Sequence, residues 1–234
     1  MKQFNQMVKR LAWILLLIAG ISTAVSAEDI QLNADTKTIE PTNDFNNDNL
    51  KKHLEKISPR TSFRELENML TAMTEDLASY PQNLDSRMMV GYVSLFLAEK
   101  YLQQKNFIKA AEFSKKGFYY IDEAAETREN DIKRRYFRLR IDAFIGNSSL
   151  RCPVAKSDTE FLAGALSDSS ELKPMLTLLT ATYASNCLDE KMATEKWQNL
   201  YDNKLFENEV LDNAKKNIAP KWQDVELALL FGKN

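Results

Sequence analysis

The sequence predicts an all-α fold, and three observations support this class. Apolar residues recur at spacings of three and four, which is the period of a helix with one buried face. No alternating apolar and polar run is long enough for a strand. Glycine is scarce, with 6 among 234 residues, so few residues would interrupt a helix. We therefore expect an all-helical fold.

In the first 27 residues, basic, apolar and small residues follow one another as they do in a secretory signal peptide. A basic segment precedes an apolar stretch over residues 11–21, and Val25-Ser26-Ala27 supplies small residues for cleavage. The apolar run is nearly long enough to span a bilayer, so a retained membrane anchor is the alternative. We expect cleavage after Ala27, because no basic stop-transfer patch follows it.

Two regions follow the predicted signal peptide. Residues 28–47 are polar and rich in Asn and Asp, which predicts a flexible leader. Residues 48–234 have the size of one domain, and we assign them to a single α-helical, repeat-like domain. Without the three basic residues of the first segment, 28 basic face 33 acidic residues, a net charge near −5. This mild acidity argues against nucleic-acid binding.

Capping and stop residues place the helices in order along this domain. Ser62 and Glu65 form a capping box that opens the first predicted helix, and Tyr80-Pro81 ends it. Asn106 is placed to cap a later helix, and Ser157 with Glu160 forms a second capping box. After the helix that Ser62 opens, we expect helices over residues 84–104, 106–123, 130–144, 157–166, 171–185, 189–203, 206–217 and 221–231.

Cys152 and Cys187 are the two cysteines of the chain, and both are predicted to lie in loops just beyond helix ends. In an oxidising compartment such a pair predicts a disulfide. Two separate buried thiols are the alternative. No metal site is expected, because two distant cysteines and the single histidine, His53, lack any ligand spacing.

The stretch from Leu97 to Gly117 resembles a tetratricopeptide repeat, a helix-turn-helix unit. Leu97-Ala98-x2-Tyr101 follows the first half of its pattern, with alanine in place of glycine. Phe107 and Ala110 stand where the second helix meets the first, and Gly117 lets the two backbones approach at the far end. The resemblance implies a right-handed array of antiparallel hairpins with degenerate repeats.

One exported family of this character is the T component of tripartite ATP-independent periplasmic transporters. The lines "LAEKYLQQKNFIKAAEFSKKGFYYIDEA" and "RRYFRLRIDAFIG" are similar to it in character. Membership would imply docking to the solute-binding subunit of a transporter. Its members are often lipoproteins, whereas no cysteine follows the apolar core here.

The sequence contains no constellation typical of catalysis. His53 is the only histidine and lies close to the predicted leader, so it is interpreted as a helix-surface residue. The glycines are scattered singly and form no phosphate loop. We predict no catalytic residue and no cofactor.

Two candidate binding sites follow from the helical spacing. On the helix over 84–104, Tyr92, Glu99 and Gln103 share one face and could line a groove. The alternative places Tyr92 in the core and Glu99 with Gln103 on a solvated edge. Arg134 and Arg138 lie one turn apart in a basic run and could hold a carboxylate or an acidic partner surface. A solvated helix face is the alternative there.

These features together predict an exported, non-catalytic adaptor. It would bind a protein or peptide partner in a groove of stacked helices, with the bacterial periplasm as its compartment. An accessory transporter component or a small-molecule binder is the alternative. No membrane span is expected after signal cleavage.

Overall fold

The structure, a computed structural model, describes residues 44–145, 150–167 and 170–232. This part of the chain is all-helical, with ten α-helices and no β-strand. The predicted fold class is thereby confirmed at the level of helical content. The helices are α1 (Asp44–Lys56), α2 (Phe63–Ser79), α3 (Leu84–Gln103), α4 (Phe107–Glu126), α5 (Ile132–Ile145), α6 (Cys152–Ala165), α7 (Lys173–Cys187), α8 (Glu190–Asp202), α9 (Asn208–Lys215) and α10 (Asp224–Phe231).

The N-terminal predictions fall mostly outside the described residues. The signal peptide over residues 1–27 lies outside them, as does the leader as far as residue 43. Helix α1 begins at Asp44, so the last four residues of the predicted leader are helical. None of the helices in the described residues is both long enough and apolar enough to cross a membrane.

Several predicted caps are present in the structure. Ser62 accepts a hydrogen bond from the backbone N–H of Glu65, whose carboxylate accepts one from the Ser62 N–H in return. The side chain of Asn106 accepts from the backbone N–H of Lys109 and so caps α4. These contacts satisfy amides that the first turn of a helix leaves without partners.

The predicted start of α6 at Ser157 is wrong. Helix α6 begins five residues earlier, at Cys152, and Pro153 lies in its first turn. Proline favours that position because its ring fixes a helical φ and its missing N–H needs no partner there. Ser157 lies inside the helix, where its hydroxyl accepts from Arg135 Nη2 at 2.7 Å.

Three successive pairs of helices pack together, α3 with α4, α5 with α6, and α7 with α8, and α2 packs against α3 as well. The first pair is antiparallel, since Arg87 near the start of α3 meets Glu123 near the end of α4 at 2.8 Å. Gly91 and Gly117 form its crossing point: a Cβ added at Gly91 would lie 2.7 Å from the Gly117 carbonyl oxygen. The predicted role of Gly117 in close approach is thereby confirmed.

For the other residues of the stretch from Leu97 to Gly117, the structure agrees with the predicted positions in part. Ala98 and Ala110 are buried between the paired helices, as expected. Phe107 was expected to pack where the second helix meets the first, but its side chain is 49% exposed. It is the first residue of α4, beyond the end of the facing helix surface, so it reaches solvent.

Two apolar clusters share α5 as their common wall. Tyr136, Leu139 and Ala143 of α5 belong to a C-terminal cluster, whereas Phe137 and Ile141 belong to an N-terminal one. The N-terminal cluster also contains Leu227 and Leu230 of the last helix, and α10 packs against α1 and α5. The last helix of the described residues therefore packs against the first.

The predicted disulfide is present. Cys152 and Cys187 are joined, with their Cα atoms 5.6 Å apart, within the usual range for such a bond. The cysteines do not lie in loops: Cys152 is the first residue of α6 and Cys187 the last of α7. The bond therefore ties the second helix pair to the third.

Candidate functional site

An aromatic cluster joins α3 to α5 and to the stretch of chain that precedes α10. The Tyr92 ring lies 5.1 Å from Phe96, 5.5 Å from Phe137 of α5 and 6.2 Å from Trp222, all in edge-on geometry. The rings of Phe137 and Trp222 are stacked, with centroids 5.5 Å apart. Burial raises the pKa of the Tyr92 hydroxyl. Aromatic pairs at these distances add to the stability that burial alone provides.

Trp222 belongs to residues 218–231, here named the C-terminal segment. Residues 218–223 are non-helical and lead into α10. Between this segment and α9 lies an open pocket of about 430 Å³, whose lining includes Val210, Asn213, Ile218 and Trp222. Through Trp222 the segment contacts Tyr92 of α3 and Phe137 of α5, and on its α9 side it borders this open pocket.

Arg140 of α5 is the main polar contact of the C-terminal segment. Its Nη2 donates to the Pro220 carbonyl oxygen at 2.9 Å. Its guanidinium lies 4.1 Å from the centre of the Trp222 ring, a distance typical of cation–π contacts. Its Nε is 2.7 Å from Glu226 Oε1. One arginine thus holds a backbone carbonyl, an aromatic ring and a carboxylate.

Glu226 of α10 is fully buried and depends on partners from α5. Tyr136 donates its hydroxyl hydrogen to Glu226 Oε1 at 2.8 Å, in addition to the ion pair with Arg140. Burial raises the pKa of the Glu226 carboxyl, while Arg140 acts in the opposite direction. A buried carboxylate is tolerated only with such partners.

The predicted groove residues do not form one surface. Tyr92 packs into the aromatic cluster, which is the core alternative stated for it above. Glu99 is buried, and Gln103 is exposed and donates from Nε2 to Glu99 Oε1 at 3.0 Å. Burial raises the pKa of Glu99 to about 7 against the opposing effects of Lys100 and Gln103. Gln103 is therefore at the solvated edge, but Glu99 is not.

The arginines of the predicted basic patch are buried and paired within the chain. Arg134 contacts Asp131 and Asp85. Arg138 makes a two-pronged contact with Asp158, from Nε at 2.7 Å and from Nη2 at 2.9 Å. The solvated-face alternative is wrong, because their side chains are 9% and 7% exposed. Binding of an acidic partner here stays a prediction, and it would require displacing these aspartates.

The ion pairs around Arg138 extend into a network between α4, α5 and α6. Asp158 also accepts from Arg135 Nε at 2.7 Å. Arg151 binds Asp122 and Asp142, with contacts of 2.6 to 2.9 Å. Burial opposes the charge of Arg151, but these hydrogen bonds and carboxylate charges raise its pKa overall. The network orders three helices and leaves its charges largely balanced, which is the pattern of a structural element.

Residues able to support metal or acid–base chemistry are sparse in the described part of the chain. It contains no group of three or more His, Cys, Asp or Glu placed to hold a metal ion. His53 lies half-buried on α1, and burial lowers its pKa, with a further contribution from Lys56. A single imidazole in this position provides no partner set for nucleophilic or general-base catalysis.

The sequence analysis missed Arg140, Trp222 and Glu226 as a group. One local signal existed: Glu226 interrupts the apolar run of "VELALLF", and Arg140 lies among Leu139 and Ile141. A charge inside an apolar run predicts a buried ion pair, since charged groups are rarely buried alone.

Comparison with protein-family profiles, curated proteins and solved structures finds no match to this chain.

Proposed function

We propose that this protein is a non-catalytic adaptor that binds a peptide segment of a partner protein across the face of α3 and α5. In this proposal the helix pairs stack as a tetratricopeptide-like array, and the face belongs to the first helices of successive pairs. The seating of the C-terminal segment on this face is the observation that carries the proposal. The same surface accepts a non-helical stretch of chain and an aromatic side chain.

The chemistry of this face suits peptide recognition. Tyr92 and Phe137 provide a seat for an aromatic side chain, and Arg140 provides a donor for a backbone carbonyl and a positive charge for a carboxylate. Buried aromatic and arginine residues supply much of the energy at protein interfaces. A carbonyl contact fixes the path of a bound chain without selecting its sequence.

Export to the bacterial periplasm belongs to the same proposal. The disulfide supports it, because such bonds persist in oxidising compartments. A role as the T component of a transporter, docking a solute-binding subunit, stays a second prediction that rests on sequence character alone.

Site-specific photo-crosslinking tests the proposed function. A photoreactive phenylalanine replaces Phe96, which contacts Tyr92 on the α3 face. The matched control carries the same group at Tyr119 on α4, which is 60% exposed and also aromatic. Both variants are expressed in the native host and irradiated, and the adducts are mapped by mass spectrometry.

We expect a defined partner peptide to be joined at position 96 and not at position 119. The same adducts at both positions would show contact without a preferred face. If irradiation at position 96 yields only bonds within the chain, the face does not bind a partner under those conditions and the adaptor proposal fails.

A further inference from the structure

The C-terminal segment reaches its binding face over a non-helical connection. Helix α9 ends at Lys215, and Asn217 has a positive φ of 58°. In the described residues, the backbone N–H groups of Ala219, Lys221 and Trp222 donate no hydrogen bond to another backbone group, and Pro220 has no N–H to donate. Trp222 then contacts Tyr92 of α3 and Phe137 of α5, and α10 packs against α1 and α5. Side chains rather than a backbone ladder hold the connection in place.

The two sides of this contact are chemically complementary. The body of the protein supplies Tyr92, Phe137, Tyr136 and Arg140, and the segment supplies an aromatic ring and a carboxylate. Arg140 is only 4% exposed and Glu226 is fully buried. Because a buried charge without its partner is costly, the face is stable only with an occupant that brings a carboxylate to Arg140.

We propose that the C-terminal segment is an internal competitor, and that the partner peptide carries an aromatic residue followed four positions later by a carboxylate. This inference rests on the proposed function. The spacing is that of Trp222 and Glu226, which places the ring beside the Arg140 guanidinium and the carboxylate at its Nε. A partner with these groups displaces the segment and pairs with the same buried guanidinium charge.

Competition leads to a quantitative expectation for the affinity of an external peptide. When the internal segment fills the face, an external peptide binds only the open fraction of molecules, and its apparent affinity falls by that fraction. Weakening the internal anchor therefore tightens external binding. The full-length chain carrying Trp222→Ala has such a weakened anchor. Lys221→Ala is the matched control, since Lys221 is the exposed neighbour of Trp222.

The probe is a fluorescently labelled synthetic peptide with the sequence of residues 218–231. By anisotropy, we expect it to bind Trp222→Ala at least about tenfold more tightly than wild type or Lys221→Ala. Peptides with the tryptophan changed to alanine, or the glutamate to glutamine, should bind Trp222→Ala at least about tenfold more weakly than the unaltered peptide. Equal binding to all three proteins, or indifference to the peptide's tryptophan, would overturn the inference.

If Trp222→Ala does not fold, hydrogen exchange of the wild-type chain tests the inference instead. If the segment is displaceable, amides of α10 exchange through a partial opening that leaves α4 and α7 protected. Exchange of α10 only together with α4 and α7 would mean that the segment is a fixed part of the core, and the inference would be wrong. Dimers that exchange their segments would identify a second copy as the occupant, which also overturns it.

Failure of this inference is separable from failure of the proposed function. A partner joined at position 96 that lacks the aromatic and acidic pair contradicts the internal-competitor idea and leaves the adaptor role standing. Conversely, tight and tryptophan-dependent peptide binding with no partner joined at position 96 shows that the segment can be displaced from the face, but it removes the adaptor role and with it the partner peptide.

Discussion

Gly91 and Gly117 bring the backbones of α3 and α4 into direct contact. A Cβ on Gly117 would lie 2.9 Å from the Gly91 carbonyl oxygen and 2.6 Å from Leu95 Cδ2. Both glycines lie in helix interiors, where glycine is less favourable than alanine by about 1 kcal/mol. Close packing of the two helices explains why glycine is present in spite of this cost.

Substitution of Gly91 by alanine is expected to destabilise the fold. The new methyl group would meet the Gly117 carbonyl oxygen at 2.7 Å, and a backbone atom cannot move aside as a flexible side chain can. We expect a loss of about 2 kcal/mol or more in the free energy of unfolding. Urea denaturation followed by circular dichroism measures it.

Gly164→Ala in α6 is the matched control, because nothing lies within 4 Å of its added Cβ. It should stabilise by roughly 0.5–1 kcal/mol, since alanine is the better helix former. Equal effects of the two substitutions would show that the helices do not pack closely at Gly91.

The helices could be predicted from the sequence because their signals are local. The box of Ser62 and Glu65 and the cap at Asn106 each need residues only three apart, and both are present. The disulfide was predicted from the even number of cysteines together with the expected oxidising compartment. Short-range geometry of this kind is contained in a single stretch of chain.

The packing of the candidate site could not be predicted in this way. Arg140 and Glu226 are far apart in the chain, and no short motif encodes their pairing. The basic run around Arg134 was misread because charged residues are usually exposed. Its compensating carboxylates come from distant positions, Asp85 and Asp158 among them, and only the tertiary fold assembles them.

The disulfide is expected to stabilise the second and third helix pairs. The double variant Cys152→Ala, Cys187→Ala should lose about 3–4 kcal/mol in the free energy of unfolding on the chain-entropy account, given the loop length. Guanidinium denaturation of the variant and of wild type, the latter with and without a reductant, measures this. If reduced wild type and the variant both match the oxidised protein, the bond does not contribute to stability.

Asp158 is expected to be the most sensitive carboxylate of the ion-pair network. It is fully buried and holds both Arg135 and Arg138. Asp158→Asn removes the negative charge and leaves two guanidinium groups poorly compensated, so a loss of about 3–5 kcal/mol is expected.

Glu160→Gln on the same helix is the control for Asp158. Glu160 is 68% exposed and pairs with Lys156 at 3.8 Å, so its loss should cost less than about 1 kcal/mol. Thermal and chemical unfolding of both variants compare the two costs. An Asp158→Asn variant as stable as Glu160→Gln would mean that the negative charge of Asp158 contributes little to the free energy of unfolding.

Glu99 is expected to make the stability of the protein fall as pH rises from about 4.5 to about 7. Burial raises its pKa from 4.5 to about 7 in the folded state, whereas the unfolded chain releases the proton near the ordinary value. Between these two values the folded state binds more protons, so its contribution to stability is complete below about pH 4.5 and is lost by about pH 7. The full loss in the free energy of unfolding corresponds to roughly 3 kcal/mol.

Glu99→Gln keeps a neutral side chain at every pH and should not show this loss. Relative to wild type, the variant should therefore gain stability on going from pH 5 to pH 8, measured by urea denaturation at both values. Glu67→Gln, on the exposed face of α2, is the control and should follow wild type. Parallel pH profiles for Glu99→Gln and wild type would show that Glu99 is not protonated in the folded protein near neutral pH, and that its carboxylate is solvated despite its position.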